Sequence, residues 1–241
     1  MMYSHVFAFF WVFELIQACF NYVVIVATTT WYFTSTQDSR GSFSLKQGFW
    51  WCIRYNFGSM ALGSFILAVI WIIRLALEYL AEKLEKTGGD GPLVKCILNC
   101  CRCYMDCFHR FVKFLNENAY IQIALTSQNF CPSAMNAFIL ALKNAGTFLI
   151  TNGIGGMIRF LGRFAICIAN TCLGYLLITY EASLKEDIDN PIVILAVVFL
   201  ISWALATIFM EVYSTISLSV LQCMYADFDI CAQNNEDPYN Y

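Results

Sequence analysis

Residues 6–33 read VFAFFWVFELIQACFNYVVIVATTTWYF, twenty-eight positions carrying one charge, Glu14. A run this long and apolar is the signature of a membrane-crossing helix. At 1.5 Å per residue it is roughly 42 Å long, against a hydrocarbon core about 30 Å thick, so it must tilt or protrude. Trp31, Tyr32 and Phe33 close it with rings suited to the membrane interface.

The rest of the chain follows this stretch. Of its 241 residues, 59% are hydrophobic and 13% charged; a soluble domain carries about 25% charged residues. The net charge is −3 and no basic patch interleaves with aromatics, so nucleic acid is excluded as a partner. Twelve cysteines would suit a secreted disulfide scaffold, but the chain is too long and too apolar for one. The N-terminus has no basic n-region and no small-residue cleavage site, so no cleavable signal peptide is expected.

A second span centres on Tyr55–Ile73, nineteen uncharged residues between Arg54 and Arg74, both expected as interface anchors. Its Ser59/Gly63 pair suits close helix packing. It is expected to run on through LEYLAEKLEK and stop at the breaker Thr87-Gly88-Gly89-Asp90-Gly91-Pro92. Crossings are expected at about 6–33, 49–80, 157–180 and 191–220. An amphipathic Cys-rich segment at 93–118 and a re-entrant segment at 119–145, broken at Cys131-Pro132, lie between. The glycines of TNGIGG read as a flexible join before the third crossing, and Pro191 suits the first turn of the fourth. The expected fold is all-α: a polytopic transmembrane bundle over residues 1–241, about four crossings plus one broken helix pair.

Ten of the 14 Lys and Arg lie between Arg74 and Arg163, whereas 34–47 holds two and 181–190 one. The positive-inside rule places 74–163 in the cytosol, and parity then puts both termini there. Which membrane holds the chain is open.

On the first span, Glu14, Gln17, Asn21 and Thr28 fall within an arc of about 60°. A carboxylate near mid-bilayer costs about 2.5–3.5 kcal/mol on insertion. Such a stripe should face protein or an aqueous path. One reading is a lining for a cationic substrate, with Glu14 as counter-charge and Trp11, one turn earlier, as a cation–π face. The other is an interhelical hydrogen-bond seam, or a Glu14 shallow enough to reach the interface. Glu211, at the end of the fourth span, reads as a structural helix end.

Cys96, Cys100, Cys101, Cys103 and Cys107 cluster in the most basic stretch. Cys100 and Cys103 form C-x-x-C, but no second such pair or His pair accompanies them, so no metal is expected. Lipidation of Cys100, Cys101 and Cys103 fits a cytosolic amphipathic helix near the membrane better. G-x-S-x-G, H-E-x-x-H and P-loop motifs are absent, so no catalytic residue and no cofactor is expected.

The run FLNENAYIQIALTSQNFCPSAMNAF, Phe114–Phe138, resembles a segment of the choline transporter-like family, of the form KFLNxNAYIxIA…NFCxSAxNAF. FWVFELIQACF and RYNFGSMALGSFILA are similar to two further helices of that family, in the same order. The resemblance implies the C-terminal half of the family's membrane domain, and transport of choline or a related organic amine. For such a substrate the expected lining is Trp11, Glu14, Gln17 and Asn21, and Asn118, Asn129, Cys131, Pro132 and Asn136 are expected to form a gate or packing motif. The implied partners are the bilayer and a quaternary amine. Near the C-terminus, FMEVYSTISLSVLQCMYAD keeps the family's Tyr and Cys at Tyr213 and Cys223 but places Leu218 where the family has Asp and Glu211 where it has Ser. A non-transporting accessory subunit of a larger membrane complex, or a partial chain of a longer transporter, are the alternative readings.

Overall fold

The computed structural model describes residues 2–35, 41–86, 92–180 and 191–234. The breaker at 87–91 lies outside the described residues, as do 36–40, 181–190 and 235–241. The described residues form helices without strands: α1 (Met2–Thr34), α2 (Leu45–Trp51), a π-helical turn (Cys52–Asn56), α3 (Phe57–Lys86), α4 (Pro92–Thr126), α5 (Phe130–Lys143), α6 (Ala145–Tyr180) and α7 (Pro191–Asn234). Four stretches are long and apolar enough to cross a membrane: Ser4–Thr34, Leu45–Lys83, Ala145–Tyr180 and Pro191–Phe228.

Local chemistry sets the boundaries. Pro92 and Pro191 open α4 and α7, and Pro132 lies in the first turn of α5. At these positions the missing N–H has no intrahelical acceptor to lose. Pro132 therefore does not break the chain. The break falls earlier, at Ser127–Asn129, where Ser127 bonds back to Ile123 O at 2.8 Å and turns out with φ 56°. The TNGIGG glycines are likewise not a join: they lie inside continuous α6. Interior glycine costs roughly 1 kcal/mol relative to Ala, a cost the helix carries without breaking.

The chain divides into two compact units, residues 1–143 with 219–241, and residues 144–218. In the first, α1, α3, α4 and α5 pack together. Its core centres on α4, where Asn116 and the run from Asn118 through Ile123 are buried. The run is sealed on more than one side, and so its polar side chains need protein partners. In the second unit, α6 meets the first part of α7. Trp203 lies edge-on to Phe164 at 5.3 Å, the Arg159 guanidinium donates to the Ser214 hydroxyl, and Gly162 leaves room for Met210.

Candidate functional site

The amides and phenol of α4 point in two directions. Asn116 and Tyr120 are four residues apart and share one face; Asn118 and Gln122 share another, about 160° round the helix. On the first face, Asn116 Nδ2 donates to Gly63 O on α3 at 2.8 Å. A peptide carbonyl already bonded within its helix thus accepts a second bond. The Tyr120 ring follows one turn on, tilted against Phe130 at 6.2 Å. Its hydroxyl is buried beside Gly63 and has no hydrogen-bond partner among the described residues. On the second face, Gln122 Nε2 donates to Gln222 Oε1 at 3.0 Å, Gln222 donates to Asn118 Oδ1, and Asn118 Nδ2 donates to Phe114 O at 2.6 Å.

The polar stripe of α1 is unevenly buried. Glu14 is half-buried and interacts electrostatically with Lys113 and with Tyr120 on α4. Gln17 is exposed and Asn21 intermediate. Thr28 is buried, but its hydroxyl donates to Val24 O of its own helix at 2.9 Å and needs no outside partner. Trp11 turns toward α3: its indole N–H donates to Ala61 O at 3.4 Å, and its ring lies edge-on to Phe65 at 5.7 Å and stacks on Phe7 at 6.4 Å. One turn from this aromatic group stands the Glu14 carboxylate. Lys113 is shared between Glu14 and Glu117, which it approaches at 3.7 Å.

The other expected residues scatter. Asn118 belongs to the buried amide network, away from the α4–α5 break. Asn129, Cys131, Pro132 and Asn136 are exposed around that break. There Asn136 Nδ2 donates to Gln128 Oε1 at 3.1 Å, and Asn129 O accepts from Ser133 N at 3.1 Å. Arg54 lies 6.0 Å from the Tyr55 ring. Arg74 does more than anchor: it pairs with Glu78 at 3.2 Å and Asp106 at 3.0 Å and sits 5.9 Å over Trp71. Among the described residues no group of three or more His, Cys, Asp or Glu side chains could hold a metal. Glu211 is exposed.

Sequence reasoning did not single out Tyr120, Asn116, Gln122 or Gln222. The i,i+4 spacings in NENAYIQ were the available signal for the three on α4. Another link missed joins α1 to the π-helical turn, where Asn56 Nδ2 donates to Tyr22 Oη at 2.8 Å. A π-helical turn puts a side chain where an α-helical register would not, and such turns concentrate at functional sites.

Helices of crossing length, packed through buried amides and carrying a carboxylate beside stacked aromatics, define a polytopic α-helical membrane protein. Comparison with known sequences narrows the class: the family described as plasma-membrane choline transporter matches residues 1–229, and the chain belongs to it. It is a family of transporters. The chain is 31% identical over 235 residues to choline transporter-like 2 of Anopheles gambiae, covering 98% of this chain and 29% of that protein. It is 32% identical over 234 residues to choline transporter-like protein 2 of Dictyostelium discoideum, covering 97% and 36%. With choline transporter-like protein 2 of Homo sapiens the identity is 31% over 238 residues, covering 97% and 33%. The chain thus spans about a third of the length of these curated relatives.

Proposed function

We propose that this chain supplies part of the path by which choline or a related organic cation crosses a membrane, with Glu14 as the counter-charge. A trimethylammonium group has no N–H to donate, so a site for it must use aromatic faces and a diffuse negative field. The observation that carries the reading is the half-buried Glu14 on an otherwise uncharged crossing helix, one turn from the Phe7–Trp11–Phe65 cluster and electrostatically coupled to α4. An intramembrane carboxylate is costly to keep and marks a substrate path by default. In this reading a passing cation competes with Lys113 for Glu14. Gln17 and Asn21 continue the lining, and the exposed residues around the α4–α5 break form a gate at its cytosolic end. The excess of Lys and Arg between residues 74 and 163 supports a cytosolic side for that stretch and for both termini.

Labelled choline uptake into proteoliposomes tests this, wild type against Glu14→Gln. The expected result is saturable uptake that falls at least tenfold in the variant. Equal uptake in both removes Glu14 from the path. No uptake by the wild type removes transport by this chain alone.

A further inference from the structure

The Cys-rich stretch belongs to α4, a continuous helix from Pro92 to Thr126, and the helix sorts its cysteines. At 100° per residue, Cys96, Cys100, Cys103 and Cys107 fall within an arc of about 60°, while Cys101 lies about 100° from Cys100. All five are exposed. The packed side of α4 is the other one. Met105, Asp106, His109 and Asn116 lie there, all less exposed, and Arg74 of α3 reaches Asp106 at 3.0 Å. The four-cysteine stripe therefore runs along the outermost line of the helix, and Cys101 sits nearer the packed side.

What flanks the stripe is equally specific. On one side stand exposed apolar side chains, Ile97 (61% exposed), Tyr104 (69%), Phe108 and Phe111, with Tyr104 and Phe108 stacked at 6.3 Å. On the other side stand Asn99 and Arg110, both exposed. The stripe marks the seam between an apolar flank and a polar one, the line that meets the acyl–headgroup boundary when an amphipathic helix lies against a bilayer. The neighbouring sulfurs, Cys96 first, hold the Cys100 thiol above its ordinary value.

We propose that Cys96, Cys100, Cys103 and Cys107 form an S-acylation stripe that takes long-chain fatty acyl groups and holds this face of α4 to the membrane surface. The donor is a long-chain acyl thioester of a carrier thiol. Each cysteine sulfur bonds to the acyl carbonyl carbon, the donor's carbon–sulfur bond breaks, and the cysteine's proton leaves with the carrier thiol, with no change in oxidation state. One chain gives marginal, reversible membrane binding and two give a stable anchor, so a row of four makes anchoring robust to the loss of any one.

The experiment is hydroxylamine-dependent mass-tagging of the full chain expressed in a eukaryotic host, with peptide mass spectrometry to assign each tag. Wild type should carry tags on the four stripe cysteines. Each single Cys→Ser change in the stripe should lower the maximum tag number by one, the quadruple change should abolish tagging, and Cys101→Ser should leave it intact. A wild type without hydroxylamine-sensitive tags, or with tags confined to Cys101, overturns the proposal. The wild-type map needs no variant to fold, and the readout does not depend on transport.

Discussion

Gln122 Nε2 donates to Gln222 Oε1 at 3.0 Å, across 100 residues of sequence and with both side chains buried. Gln222 passes the link on to Asn118, so a single carboxamide satisfies two others. Leaving a buried amide unpaired costs about 1–3 kcal/mol. Gln222→Leu strips a partner from both neighbours and should lower the thermal midpoint in detergent clearly. Gln122→Leu alone should cost less. The double variant should be less destabilised than the sum of the two singles, because the second change removes a group the first had already orphaned. Strict additivity would show that the network does not act as a unit.

Gly63 presses on the Tyr120 side chain so closely that a Cβ at that position would overlap the hydroxyl and come within 2.9 Å of Phe130 Cε2. Gly63→Ala should therefore destabilise by about 1–3 kcal/mol, as overpacking does. Tyr120→Phe removes the overlapping oxygen, which has no hydrogen-bond partner among the described residues. Combined with Gly63→Ala it should recover a large part of the loss. Thermal melts of the four proteins of this cycle check it, and a double variant no better than Gly63→Ala would place the strain at Phe130.

His109 faces Arg74 from α3 and Lys113 and Asp106 on its own helix. Burial first, then the two cations, hold its imidazole below the usual 6.5, and Asp106 opposes them in part. The folded protein thus binds a proton less readily than the unfolded chain. Stability from this residue is complete above about pH 6.5 and declines as pH falls from there toward the folded-state value, below which it levels off. His109→Gln should flatten that decline in melts between pH 7 and 5. Asp106→Asn should steepen it, since the carboxylate that offsets the cations around the imidazole is gone. An unchanged acid slope in both variants would take His109 out of the account.

The crossing helices were legible because lipid leaves backbone few options. The run 6–33 became α1, and the second run became one continuous stretch through the π-helical turn. Where sequence reading slipped, a local rule met a context that relaxed it. Pro132 looked like a breaker but occupies a first turn, and the TNGIGG glycines looked like a flexible join but lie within a continuous helix. The polar stripe of α1 was visible as a pattern, yet Thr28 is satisfied within its own helix while Glu14 engages α4. Partner choice of that kind is nonlocal. Nothing in the spacing of Asn118 and Gln122 announces a glutamine a hundred residues later.

The opposed faces of α4 also limit how the first unit can move. Asn116 is tied to α3 on one side while Asn118 and Gln122 are tied to Gln222 on the other. Rolling α4 about its long axis would break both sets of bonds together and turn carboxamides toward apolar neighbours. That degree of freedom is keyed shut. Sliding and tilting in company with its partners remain open, so any working stroke through α4 travels as a displacement of the joined helices and not as a twist of one.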